Sequence, residues 1–135
     1  MITSTGYSKD PSIKPDAITV TFGRQMIEDK GGLLKFVRWF EGIFENEESY
    51  WMHKCKNKPQ HDDLLYVYVS ICNRIHYRCI YGGYHSHGGA GQLFPGGPEV
   101  ETDWPHIILA GPLVKAPHKI VRPGFQGFRY TTKLF

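Results

Sequence analysis

The stretch YVYVSICNRIHYRCIYGGYHSHGG, Tyr66 to Gly89, gathers tyrosines, arginines and imidazoles into one short segment and then runs into glycines. Rings of this kind stack on bases and cations neutralise phosphates, so Tyr66, Tyr68, His76 and Arg78 on a shared surface would suit a nucleic-acid contact. The competing explanation is structural, because half-buried tyrosines with scattered charges are also what an antiparallel sheet shows to water or to a covering helix. A second basic cluster follows Trp51, where Lys54, Lys56 and Lys58 recur at every second position. On an extended segment they point one way and would form a phosphate track beside a stacking ring.

His85 and His87 form an HxH pair that shares one face if the chain is extended. Zinc needs a third and usually a fourth ligand, and no spacing ties His106, His118, Asp103 or Glu101 to the pair, so no metal is expected. The run HSHGGAG offers successive backbone N–H groups to an anion but has neither the GxGxxG nor the P-loop pattern, and no cofactor is expected. For catalysis the sequence supplies no complete set. Cys55 and His53 lie two residues apart without a recognisable third group to orient them, and Cys79 is best placed inside the fold, where a thiol is inert.

These groups need elements to position them. Leu65, Val67, Val69 and Ile71 alternate with Tyr66, Tyr68 and Ser70, a strand whose aliphatic face is buried. A hairpin with the three-residue loop Cys72-Asn73-Arg74 pairs Ile71 with Ile75, Val69 with Tyr77 and Val67 with Cys79. A two-residue loop would drive His76 and Arg78 into the core, so the longer loop is expected. Further strands are expected at 17–22 (AITVTF), near 49–55, at 106–116 and at 128–135. Leu33, Phe36, Val37, Phe40 and Phe44 fall at spacings of three and four and predict one principal amphipathic helix. Residues 85–104 are rich in Gly and Pro and predict a long irregular loop, functional or mobile. No repeat and no parallel βαβ rhythm is evident. The expected architecture is α+β, a small, mostly antiparallel curved sheet or pseudo-barrel with that helix against it.

The chain has 135 residues, with 41% hydrophobic and 21% charged side chains, which fits one globular domain at 17–135 preceded by a polar, flexible arm at 1–16. A net charge of +3 permits polyanion binding without demanding it. No apolar run approaches a membrane span and no signal-peptide pattern opens the chain, so a cytoplasmic protein is expected. Cys55, Cys72 and Cys79 lack CxxC spacing and fit reduced thiols.

The segment HDDLLYVYVSICNRIHYRCIYGGY, with Pro59 before it and Asp63 ahead of the strand at 64–69, resembles the heart of the PUA-like superfamily, particularly its ASCH and EVE-type members. Asp62 stands where those domains usually have glycine. WPHIILAGPLVKAPHKI and GFQGFRYTTKLF look like their later strands, so the resemblance covers about residues 48–135. It implies a pseudo-barrel that binds RNA or DNA, or a modified or flipped base, in an aromatic pocket, for which Trp51, Tyr84 and Trp104 are the matching rings. With Lys54, Lys56, Arg78, His85, His87 and Arg129 these make the expected nucleic-acid surface. Some ASCH relatives are small hydrolases that use lysine, threonine and glutamate; no match to that set is present here, and a small hydrolase acting on a modified nucleoside is the first alternative that the resemblance implies. The alternative of a different class is a protein-interaction module, such as a phage-type inhibitor of a host nucleic-acid machine, docking through Tyr66, Tyr68, His76 and Arg78.

Overall fold

The structure, a computed structural model, describes residues 14–46, 48–61, 63–85, 89–92, 99–102, 105–123 and 127–135. His87, Trp104 and most of the expected arm lie outside the described residues. The elements are β1 (Ala17–Thr21), α1 (Arg24–Asp29), α2 (Leu33–Ile43), β2 (Tyr50–Lys54), β3 (Tyr66–Ile71), β4 (Arg74–His85), β5 (Gly89–Gln92), β6 (Glu99–Thr102), β7 (His106–Val121) and β8 (Phe128–Thr131).

Six strands form one open sheet in the order β2-β7-β4-β3-β1-β8, and β5 pairs with β6 separately. The fold is therefore α+β and mostly antiparallel, as the sequence predicts, with two helices among the described residues and a sheet whose first and last strands do not meet. Two expectations change. β1 pairs in parallel with β3, Ala17 opposite Tyr66 and Thr21 opposite Ser70, because the chain runs through α1, α2 and the far-edge strand β2 before it returns beside β1. Within 85–104, where only loop was expected, β5 and β6 form a short antiparallel ladder from Gly89–Thr102 to Gln92–Glu99. Glycine lowers strand propensity, but a backbone ladder needs no side chains to close.

The helix forms where its spacing predicts. Gly31 and Gly32 join α1 to α2 with φ of 97° and 105°, a left-handed connection that side chains resist. Phe36 and Phe40 are fully buried, and Phe22, just past β1, meets them edge-on at 5.0 and 5.2 Å. They join Ile18, Val20, Val67, Val69, Tyr77, Cys79, Ile107 and Leu109 in the principal core. Leu33, expected on this face, sits in the first helical turn at 42% exposure.

The hairpin departs from expectation in an instructive way. Its loop has two residues, Cys72 and Asn73, with φ of 51° and 62°, the paired positive values of a type I′ turn. Ile71 then faces Arg74 and Ser70 faces Ile75, yet Val69 faces Tyr77 and Val67 faces Cys79. His76 is the extra residue of a β-bulge, and it resets the alternation before Arg78 would have turned into the core. The bulge also sends Ile75 to the opposite face, where it packs with Ala17, Tyr68 and Ile120.

That opposite face is covered by the chain's own last residues. Tyr68 is fully buried; its hydroxyl accepts from the N–H of Leu134 at 2.8 Å and of Phe135 at 3.3 Å, and it donates to the Phe135 oxygen at 3.2 Å. Arg78 donates to the same oxygen and lies 4.6 Å from the Tyr66 ring centre. Tyr68→Phe removes this hub, so we expect a loss of about 1–2 kcal/mol. Amide exchange at Leu134 and Phe135 should accelerate selectively. Unchanged exchange at both amides would show that the tail is held some other way.

Candidate anion-binding cleft

The bulge at His76 has a counterpart on the neighbouring strand. Between the pairs Ile75–Ile120 and Tyr77–Lys115, β4 contributes His76 alone while β7 contributes residues 116–119. Here the two strands part and leave a cleft of about 420 Å3, within the range of ligand sites. Arg74, His76, Lys115, His118 and Lys119 line it, with Glu41 of α2 beside them. Three permanent cations thus face one carboxylate.

The carboxylate is fixed in place. The hydroxyl of Tyr77, whose ring is buried, donates to Glu41 Oε2 at 2.5 Å, and Lys115 Nζ lies 3.3 Å from Oε1. The Tyr77 bond, joined by the hydrogen bond and charge of Lys115, holds the Glu41 carboxyl below its usual range against the opposing effect of burial. Burial first, then the bond and charge of Glu41, push the Tyr77 phenol up. At neutral pH the pair is a carboxylate and a neutral donor, with no nucleophile between them. His76 is held down mainly by burial, with the charge of Arg74 acting in the same sense and a bond to the Ile71 backbone opposing. Its Nε2 is shut off from solvent without a hydrogen-bond partner among the described residues.

The residues singled out from sequence are distributed differently. Trp51 is partly buried and packs against the core, edge-on to Trp39 at 5.2 Å and 5.9 Å from Phe22, with its Nε1 enclosed. Lys54, Lys56 and Lys58 are all exposed, Lys54 as the last residue of β2 and the others in the loop beyond it. The Tyr84 hydroxyl donates to the Lys56 carbonyl at 3.2 Å, so one expected ring does lie beside the lysine run. His85 sits opposite His106 in the β4–β7 ladder, and its Nε2 is buried without a partner among the described residues. Among those residues no group of three His, Cys, Asp or Glu is placed to hold a metal ion.

Arg78 and Arg129 share one cross-strand row, three strand spacings or roughly 14 Å apart. Arg78 pairs with Tyr68, Tyr68 with Thr19, and Thr19 with Arg129, one row across four strands on the tail-covered face. Arg74 and Tyr84 stand at opposite ends of β4, roughly 30 Å apart at strand rise, too far to clamp one nucleotide. The cleft was not assembled from sequence because Glu41 and Lys115 are remote in the chain. The only signal was the basic alternation at Arg74, His76 and Arg78, together with the cluster Lys115, His118 and Lys119.

Cys79 is fully buried and burial pushes its thiol up, while Cys55 donates to the Asn57 carbonyl at 3.3 Å. Neither thiol is activated. No helix among the described residues is long and apolar enough to cross a membrane. No family model, no curated protein and no solved structure matches the chain.

Proposed function

We propose that the domain binds nucleic acid, with the phosphate backbone entering the cleft at Arg74, Lys115 and Lys119. The observation that carries this reading is the excess of permanent cations in a concave site held open by opposed bulges, with its one carboxylate already engaged by Tyr77 and Lys115. Cations in a groove neutralise phosphates and release counterions, which gives affinity without sequence preference. The reading includes no chemistry on the ligand. A base held between aromatic walls, the finer expectation from the resemblance, would fall to Tyr84 beside Lys56, since the Trp51 ring is engaged by Trp39 and Phe22 against the core. One observation favours the interaction-module alternative. Leu33, at the lip of a second cavity of about 580 Å3, and Leu34 are 42% and 64% exposed.

Trp39 and Trp51 pack, partly buried, against the core and do not line the cleft, so end-labelled oligonucleotides followed by anisotropy are a better reporter than intrinsic fluorescence. For single strands, three phosphate contacts predict a slope of log K against log salt of about −2, falling to about −0.7 in Lys115→Ala/Lys119→Ala. Binding that ignores salt, or a double variant with the wild-type slope, removes the cleft from the reading. Absence of binding to any RNA or DNA shifts the weight to the apolar surface at Leu33 and Leu34.

A further inference from the structure

We propose that a phosphodiester in this cleft and a proton on His76 stabilise each other, so that the domain takes up a proton as it binds and holds nucleic acid more tightly in mild acid. This rests on the reading of the cleft as a phosphate site and adds its regulation.

The argument starts from the bulge. His76 is the residue left over in both of the ladders that β4 makes, so it is not in register with β3 or with β7, and it lines the opening between β4 and β7. The charged and titratable groups around it come from every element that packs there. Arg74 and Tyr77 flank it on β4, Lys115, His118 and Lys119 face it from β7, and Glu41 faces it from α2. The Tyr77 ring centre is 6.0 Å away. Without ligand, a second cation here meets Arg74 and two lysines, while the one carboxylate is bound by Tyr77 and Lys115. Burial and Arg74 accordingly favour the neutral ring.

A phosphodiester changes the sign of the local field. It adds one negative charge that does not titrate near neutrality, in a partly buried site where charges are weakly screened. The imidazolium then gains a counter-charge, and the proton binds more tightly in the complex than in the free protein. By linkage, the protonated protein binds the ligand more tightly by the same factor. Affinity must therefore rise as pH falls and be lost again as pH rises past the value at which His76 titrates in the complex. Direct contact with Nε2 is not needed, because the coupling acts through the field of the cleft.

The test uses a labelled oligouridylate with no terminal phosphate, whose backbone charge is constant over the range. Its affinity is measured at fixed ionic strength between about pH 8 and about pH 6 for wild type, His76→Gln and His118→Gln. We expect about a twofold rise in wild-type affinity by the acid end, the part of a roughly fivefold linkage that develops above about pH 6 for a histidine held below its ordinary range, kept in His118→Gln and abolished in His76→Gln. In the wild-type protein, the ring-proton NMR titration of His76 should move up by about 0.7 of a pH unit at saturating ligand, which settles the matter even if His76→Gln folds poorly. A flat wild-type profile, a rise that survives in folded His76→Gln, or a rise that disappears only in His118→Gln overturns the linkage while leaving phosphate binding intact. No binding at any pH would instead overturn the reading of the cleft itself.

Discussion

Phe40→Ala is expected to remove about 3–5 kcal/mol of folding stability, a large share of the roughly 5–15 kcal/mol that a domain of this kind has. Phe40 is fully buried, and its ring touches the core from several sides. It lies 5.2 Å from Phe22, 5.2 Å from Phe44 and 5.6 Å from Tyr77, and stacks within 7° of parallel on Phe36 at 6.3 Å. Truncation leaves a hole that neighbours from α2, from β4 and from the segment after β1 cannot all fill. Urea titration should show a lower midpoint with an unchanged slope, and Leu34→Ala on the exposed side of α2 should stay within about 0.5 kcal/mol of wild type. A loss below about 1 kcal/mol for Phe40→Ala would mean that α2 is not anchored through this ring. The variant should also weaken ligand binding, because Phe40 packs on Tyr77, which holds Glu41 in the cleft.

Acid should destabilise the domain through His53. Its ring sits 5.1 Å from Phe22, edge-on, and is pushed down to about 4 by burial, with the charge of His106 adding to the effect. An unfolded histidine titrates near 6.5, so between about pH 6.5 and about pH 4 the unfolded chain takes up a proton that the folded chain refuses. This contribution to stability is present above the unfolded value and is lost as pH falls towards the folded one. It amounts to about 3 kcal/mol when complete. Denaturation at a series of pH values should show the decline in wild type and a clearly shallower one in His53→Gln, whatever that variant's stability at neutral pH. An identical decline in both proteins would assign the acid lability to other groups. The experiment on His76 is best kept above about pH 6, where most of this loss has yet to develop.

Much of the scaffold could be read directly from residue order. The alternation of Leu65, Val67, Val69 and Ile71 and the spacing of Phe36 and Phe40 are local patterns, and local patterns predict which face is buried. What local pattern does not contain is a change of phase. A β-bulge at His76 shifts every later residue of the strand by one position, so two loop lengths that look mutually exclusive on paper are reconciled by a single extra residue. The same holds for the role of Tyr68. Alternation correctly sets it opposite Val67 and Val69, but only the course of residues 132–135 shows that its face is covered rather than open. The parallel pairing of β1 was hidden because the usual sign, a helix directly between two adjacent strands, is interrupted by β2. The cleft was hidden for a related reason: it needs Glu41, Arg74 and Lys115 from three separate elements, and its shape comes from two strands falling out of register together.

The order of strands also bears on what happens when many copies of the chain meet. β2 and β8 are the outer strands of the six-stranded sheet, and an outer strand leaves main-chain donors and acceptors able to recruit the edge of another molecule. On β2 the exposed Lys54 closes the strand, and the exposed Lys56 and Lys58 follow at once. On β8 the exposed Arg129 lies within a strand of only four residues. Short, cationic edges repel their own kind, so charges that invite a polyanion also discourage the sheet from growing into an aggregate.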